Sequence, residues 1–461
     1  MTGALPDGKF DVAVIGAGVV GTAVARLLAR HDCTVVLIDT ADDVGAGTSK
    51  ANTAILHTGF DATPGTVESR LVARGYELLR DYAPRVGISV EETGALLVAW
   101  NDEQLGTLPK LAAKAAANGY DRTMVLDAAA VRALEPHLGG GALGGLLVPD
   151  EHIVDPWSTT LAFAREAVAN GVEMRLGTDV RSVSVGPERT EILCAGRFGP
   201  ERLRPRFVVN AAGLRGDVVH RWFGFDGFTI RARRGELIVF DKLARPLLSR
   251  TILPVPTATT KGVLVAPTVF GNVMLGPTAD DIDDFSTGST RGGLDRLLAQ
   301  GRRILPALLD EEVTAVYAGL RAATEHSDYQ ISAEPSARYV ALGGIRSTGL
   351  SASMALAEEA VRLLGSCGAE LGRRPDADLV EVTVPRLGER DRAVAAPGLG
   401  GGPIVCHCER VTDGELIAAC LDPLLPATGP DGLRRRTRAM NGRCQGFFCT
   451  ATVARVTGMQ L

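Results

Sequence analysis

The chain has 461 residues, 46% of them hydrophobic, enough for two or three domains with buried cores. Its 49 basic and 54 acidic residues leave a formal net charge of −5 with one basic cluster, near the C-terminus, which excludes an extended nucleic-acid-binding surface. There is no apolar run of about eighteen residues, and the first ten, MTGALPDGKF, lack the charged and apolar regions of a leader. The expectation is a cytoplasmic protein with no transmembrane segment, peripheral at the inner face of a membrane only through a partner.

Residues 12–15 read as a buried parallel strand that breaks at Gly16, Gly18 and Gly21, and a helix follows to about His31 with Val20, Val24, Leu27 and Leu28 on one face. In this pattern Gly16 permits the tight turn, Gly18 leaves room for a pyrophosphate, and Gly21 lets the helix pack on the strand. The first N–H groups of the helix then face the phosphates. A second strand over 34–38 ends on Asp39, where an acid meets a ribose hydroxyl. A dinucleotide is expected on this turn. The loop 45–61 is rich in small and hydroxyl residues. Thr48, Ser49 and Asn52 can hydrogen-bond phosphate or ribose, and His57 can face a ring system; alternatively Thr48 and Ser49 cap a helix and His57 is an ordinary loop histidine.

Residues 67–83 predict an amphipathic helix, 90–100 a strand, and the stretch to Leu138 two further helices. The Gly-rich segment 139–145 follows no strand and opens no helix, so it reads as a connector. A helix over 156–170, a short strand over 172–176 and a buried strand over 206–212 return the chain to the first sheet, with Asn210 to Gly213 beside the dinucleotide. Between Phe228 and Leu275 short β runs punctuated by Pro and Gly predict an inserted antiparallel sheet. Arg231, Arg233, Arg234 and Lys261 either line an anion pocket there or lie on solvated strand faces. A helix over 291–309, strands over 313–321 and 339–342, and a helix over 354–364 follow. The positive end of the last helix points at residues 343–351. The Pro- and Gly-rich stretch 366–403 reads as a linker.

Of eight cysteines, Cys33, Cys194 and Cys367 are scattered, whereas Cys406, Cys408, Cys420, Cys444 and Cys449 crowd the tail. C-x-C followed by C-x4-C fits zinc knuckles poorly and a [2Fe–2S] cluster on Cys406, Cys408, Cys444 and Cys449 better. Cys420, on the apolar run LIAACL, reads as core. The arginines of GLRRRTR, residues 432–438, either raise a cluster potential and dock an acidic partner or form a solvated helix face.

Four segments, DVAVIGAGVVGTAVARLLA, VGAGTSKANTAILHTGFDATPGT, AGLRAATEHSDYQI and GGIRSTGLSASMALAE, together resemble the glycerol-3-phosphate dehydrogenase and L-2-hydroxyglutarate dehydrogenase branch of the D-amino-acid-oxidase-like flavoproteins. The tail, VCHCERVT with RRRTRAMNGRCQGFFC, resembles the bacterioferritin-associated-ferredoxin-like [2Fe–2S] domain. The resemblance implies an α/β fold: a Rossmann-like FAD-binding domain, an inserted antiparallel-sheet substrate domain and a small helical C-terminal iron–sulfur domain. The oxidoreductase would span 1–365, with FAD segments about 8–65, 150–215 and 330–365 and substrate segments about 66–149 and 216–329. A linker over 366–402 and the cluster domain over 403–461 would follow.

It further implies FAD, held at its ADP half by Gly16, Gly18, Gly21 and Asp39 and elsewhere by Thr48, Ser49, Gly213, Gly344, Arg346, Ser347, Thr348, Gly349 and Leu350. Arg321 would bind an anionic substrate group, and His57 or His326 would act as base. Where relatives carry H-A-G-Y-D this chain has His57-Thr58-Gly59-Phe60-Asp61, without the tyrosine hydroxyl. The implied reaction is oxidation of glycerol 3-phosphate, with electrons passed through the cluster to a quinone or a redox partner subunit. The rivals are a 2-hydroxy acid or amino acid dehydrogenase or oxidase, and an electron-transfer or iron-handling subunit without catalysis.

Overall fold

The computed structural model describes residues 7–256, 262–394 and 401–460. The first sheet is centred on three parallel strands: Asp7–Ile15 lies between Gly199–Asn210 and Val35–Ile38. Glu173–Arg175 extends it in parallel on one side and Tyr339–Gly343 on the other. These strands read as unbroken apolar runs because both faces are covered. Val12, Val14, Val35 and Leu37 pack under the helices Val19–Leu28 and Gly349–Ser366, while Ala13, Ile15, Val36 and Ile38 meet Val219, Phe223 and Tyr339 on the far side.

The second sheet has nine strands. Its long pair is Arg231–Phe240 with Val313–Ala323, antiparallel throughout. The expected inserted antiparallel sheet is present, with one parallel pair, Thr251–Pro254 beside Ala95–Ala99. It also recruits Met124–Asp127 and Gly144–Val148, so the expected glycine connector ends two residues early: Gly144 and Gly145 already lie in a strand. A Cβ on either would come within 2.8 Å of a neighbouring strand's carbonyl oxygen, which is why small residues stand there.

Other departures have local causes. The strand expected over 90–100 breaks at Gly94, whose φ of +65° turns the chain from a small three-stranded sheet into the large one. Gly199–Asn210 is longer than expected and pairs antiparallel with Thr190–Gly196, which pairs in turn with Asp179–Val185 in a meander. The helix expected from 354 begins at Gly349, so the glycine- and serine-containing stretch before Met354 is helical as well. The helix expected over 291–309 stops at Ile304, ahead of Pro306.

The helix Val67–Val86 falls in an expected substrate segment, yet its Tyr76, Leu79, Tyr82 and Val86 share the core of the first sheet. The expected linker is also not a loose tether as far as residue 394. Val384 and Leu387 are buried, Val384 N–H donates to Val86 O, and Arg374 bonds the carbonyls of Ala29 and Asn170. Lys261 lies outside the described residues. The tail is a two-stranded ladder, Ile404–Cys406 with Val411–Thr412, and three short helices around a core of their own. No described helix is long and apolar enough to cross a membrane.

Candidate functional site

At the first turn the sequence leaves no choice of residue. Gly16 has φ +108° and a Cβ there would lie 2.3 Å from Ala211 O; a Cβ on Gly21 would lie 1.8 Å from Gly16 O. Gly18 differs, because its nearest neighbour would be Ser49 Oγ at 3.2 Å, so the space before the Val19–Leu28 helix stays open. Ser49 Oγ accepts Val19 N–H at 2.9 Å, a cap supplied from another segment, and Thr48 Oγ1 donates to Leu320 O at 2.8 Å. Asp39 accepts Ala17 N–H at 2.6 Å and Ala41 N–H at 2.8 Å. Burial raises its pKa, only partly offset by those two N–H groups. Gly213, at φ +53°, has nothing within 4 Å of a Cβ position. Glycine-only turn, open helix N-terminus and acid at the strand end fit a dinucleotide pyrophosphate.

The segment from Gly344 to Leu350 offers backbone more than side chains. Arg346 bonds His326 O, Ser327 O and Glu68, and Thr348 Oγ1 donates to Glu68 Oε1 at 2.8 Å. Ser347 is exposed and Leu350 packs on the core. No side chain caps the helix that starts at Gly349, so its first N–H groups provide the positive potential expected there.

The substrate sheet meets the cofactor layer along the Val313–Ala323 strand. A Cβ on Gly319 would sit 2.0 Å from Ala51 O, and Tyr317 Oη donates to Asn52 O at 3.2 Å. Two residues from Gly319, and therefore on the same face, Arg321 donates to Thr278 O at 3.3 Å. No carboxylate lies within ion-pair distance of Arg321 among the described residues, although its cross-strand neighbour Arg233 is matched by Asp281 at 2.6 Å. Burial, and then the charge of Arg233, lower the Arg321 pKa to about 10. Among the described residues the charge that acts on this enclosed cation is another cation, a setting that favours an anion.

His57 Nδ1 lies 3.0 Å from Glu151 Oε2, and its backbone N–H donates to Ser351 Oγ at 2.8 Å. Glu151 went unnoticed in the sequence, since 94 residues separate it from its partner and the strands that join them are two and three residues long. His326 is placed otherwise. Its ring is on the surface, with Nε2 at 3.1 Å from Gly227 O and 3.6 Å from Glu325, engaged there rather than with His57 or Arg321.

The four tail cysteines come together as two thiol pairs: Cys406 with Cys449 and Cys408 with Cys444. Gly442 lets their loops approach, since a Cβ there would overlap Cys408 Cβ at 2.1 Å. Burial, with the neighbouring thiols, pushes Cys449 up to about 12. Burial also acts upward on Cys444, but the N–H groups of Phe448, Gly446 and Phe447 and the Cys408 thiol outweigh it and bring its pKa below the ordinary thiol value. Among the described residues no three ligating side chains converge on a single ion. Two thiol pairs spread over two loops fit a binuclear centre better than one tetrahedral zinc. Cys420 packs in the tail core, as expected.

Of the tail arginines Arg434 is half-exposed, whereas the other three do not form the solvated helix face that was one expectation. Arg435 and Arg436 are buried and pair with Asp43 at 2.7 and 2.6 Å, and Arg438 pairs with Glu409 at 3.2 Å while stacking over Phe270 at 4.0 Å. The acid they dock is in their own chain, in the loop after Asp39. Two exposed rings, Phe447 and Phe448, stand edge to face 5.2 Å apart between the last two cysteines.

Residues 11–363 match the family model described as FAD dependent oxidoreductase, and residues 404–456 match the BFD-like [2Fe-2S] binding domain. A glycerol 3-phosphate dehydrogenase from Caloramator mitchellensis is 32% identical, over 98% of this chain and 94% of its own length. The structure of L-alpha-glycerophosphate oxidase from Mycoplasma pneumoniae with FAD bound superposes with a TM-score of 0.75 at 27% identity, covering 80% of this chain and 97% of that one. A mitochondrial L-2-hydroxyglutarate dehydrogenase from Arabidopsis thaliana is 26% identical, covering 76% of this chain and 82% of its own.

Proposed function

We propose, given that this chain belongs to the FAD-dependent oxidoreductase family and carries a [2Fe–2S]-binding domain behind it, that it oxidises glycerol 3-phosphate to dihydroxyacetone phosphate. The observation that carries this reading is Arg321, a guanidinium enclosed at the junction of the two sheets without a carboxylate to match it among the described residues. Bound FAD would supply a two-electron hydride acceptor and a bound cluster a one-electron acceptor, and the acceptor beyond them would be a quinone or a redox partner subunit.

The chain's own residues do the rest. Arg321 takes the phosphate in a fork of N–H donors and so sets which end of the substrate faces the cofactor turn. His57, directly after the short strand Ile55–Leu56, accepts the hydroxyl proton as the carbinol carbon is oxidised. The uncapped N–H groups at the start of the Gly349–Ser366 helix favour negative charge developing beside them. Gly16, Gly18, Gly21 and Asp39 hold the ADP half of the cofactor, and Cys406, Cys408, Cys444 and Cys449 hold the cluster. The likeness of the dehydrogenase relative over nearly the whole chain, tail included, favours the phosphate ester over a 2-hydroxy acid.

The test is anaerobic mixing of the purified protein with glycerol 3-phosphate, L-2-hydroxyglutarate and a panel of amino acids while flavin absorbance is followed. Bleaching by glycerol 3-phosphate and its loss, about a thousandfold in kcat/KM, in Arg321→Ala are expected. Bleaching by a hydroxy acid alone would replace this reading with the 2-hydroxy acid one, and undiminished turnover in Arg321→Ala would remove the arginine from it.

A further inference from the structure

The register of the small three-stranded sheet brings forward a residue that the cofactor motifs do not contain. Ile55–Leu56 pairs antiparallel with His152–Val154, Ile55 opposite Ile153 and Leu56 opposite His152. One step further along that ladder His57 stands opposite Glu151. Opposed residues of antiparallel strands point to the same side, and Nδ1 of His57 reaches Oε2 of Glu151 at 3.0 Å. The other carboxylate oxygen accepts Thr58 N–H at 2.7 Å and the Thr58 hydroxyl at 2.8 Å. Glu151 is 0% exposed. Ser351 Oγ holds the His57 backbone N–H, and Glu151 holds the ring at Nδ1.

The geometry points to Glu151 as the residue that positions His57 for proton transfer, which rests on the reading of His57 as the base. Its carboxylate accepts the Nδ1 proton, and that fixes the tautomer whose basic lone pair is on Nε2. The substrate O–H bond breaks, the Nε2–H bond forms, and the imidazolium charge then lies against the Glu151 carboxylate. Among the described residues, the charged or titratable groups that interact with Glu151 or with its neighbours Tyr76 and His152 include Arg80 on the Val67–Val86 helix, Glu92 beyond Val90–Glu91, and Asp150. Burial, then Asp150, pushes Tyr76 up to about 12, and burial lowers His152, so neither gains charge near neutral pH.

Glu151 also folds the turn through Thr58, so the variant must separate support from proton handling. Glu151→Gln does so, because its amide oxygen can keep both Thr58 bonds while its NH2 faces Nδ1 and inverts the tautomer. We would compare wild type, Glu151→Gln, Glu151→Asp, His57→Asn and the double variant His57→Asn/Glu151→Gln. The readouts are flavin reduction by saturating glycerol 3-phosphate, the pH profile of kcat/KM, and 15N imidazole spectra of the FAD-containing protein without substrate.

Glu151→Gln should slow reduction by about a hundredfold or more with FAD content unchanged, and Glu151→Asp should recover part of the rate. Without the anion the His57 imidazolium is less favoured, so the acidic limb of the profile moves to lower pH and the His57 spectrum shows the changed tautomer. The double variant should be no slower than His57→Asn alone. Wild-type rate, limb and spectrum in Glu151→Gln, with His57→Asn still slow, overturn the role of Glu151 and leave the base assignment standing. A fast His57→Asn overturns both. Should Glu151→Gln not fold, Glu151→Asp decides, and wild-type speed and limb there overturn the inference.

Discussion

Arg321 shows how much one side chain can be asked to do. It is enclosed, its pKa is lowered to about 10 by burial and then by Arg233, and its hydrogen bond is to a carbonyl, Thr278 O. Such a charge stabilises a complex and destabilises the protein that awaits it. Replacing Arg321 with Met should therefore raise the stability of the substrate-free protein by about 1 kcal/mol, read as a higher melting temperature, while substrate-driven flavin bleaching disappears. An unchanged or lower melting temperature would mean that Arg321 is a structural prop. The arginine was legible in the sequence through its motif, AGLRAATEHSDYQI. The histidine beside it in that motif, His326, was an equally good letter, but the chain turns its ring to the surface and the letters carry no sign of that.

Elements differ in how openly the sequence declares them. The glycine turn is legible because Gly16, Gly18 and Gly21 lie within six residues behind an apolar strand, although the contact that excludes a side chain at Gly16 is with the distant Ala211. The strand-and-helix order around the turn follows from apolar runs covered on both faces. The three-stranded sheet that joins His57 to Glu151 is the opposite case, since strands of two and three residues show no periodicity and the contact depends on register alone. In the tail, spacing suggested which cysteines belong together and Gly442 explains how. Gly442→Ala should abolish cluster assembly, because a Cβ at 2.1 Å from Cys408 Cβ drives the loops apart. Iron and sulfide content after anaerobic purification checks this, and a full complement of both would show that the loops move at little cost.

The whole molecule is held by charges that no local pattern announces. Arg435 and Arg436 reach Asp43 across nearly four hundred residues of sequence, Arg443 reaches Asp241 at 2.6 Å, and Lys242 reaches Glu389 at 2.7 Å and Glu409 at 3.2 Å. Burial raises the Asp43 carboxyl, but Arg436 and Arg435 outweigh it and hold its pKa below the usual carboxylate value of 3.8. A folded pKa below the unfolded one means the stabilisation is complete above about 3.8 and is lost as pH falls through the lower folded value. Trp157 stacks on Phe270 and lies 5.4 Å from Arg438, so its fluorescence reports the contact. Acidification from pH 5 to 3 should change that emission in the wild type. Asp43→Asn, which leaves two buried arginines without their counter-charge, should cost about 3 kcal/mol or more and remove this titration; an identical acid transition in the variant would assign it elsewhere.

That lock has two keepers, Asp43 in the cofactor layer and Asp241 at the edge of the substrate sheet, both gripped by one small module with a core of its own. Corrosion of its metal would thus be felt at a distance. As the module loosened, Asp43 and Asp241 would lose their arginines together, one in each of the two large layers.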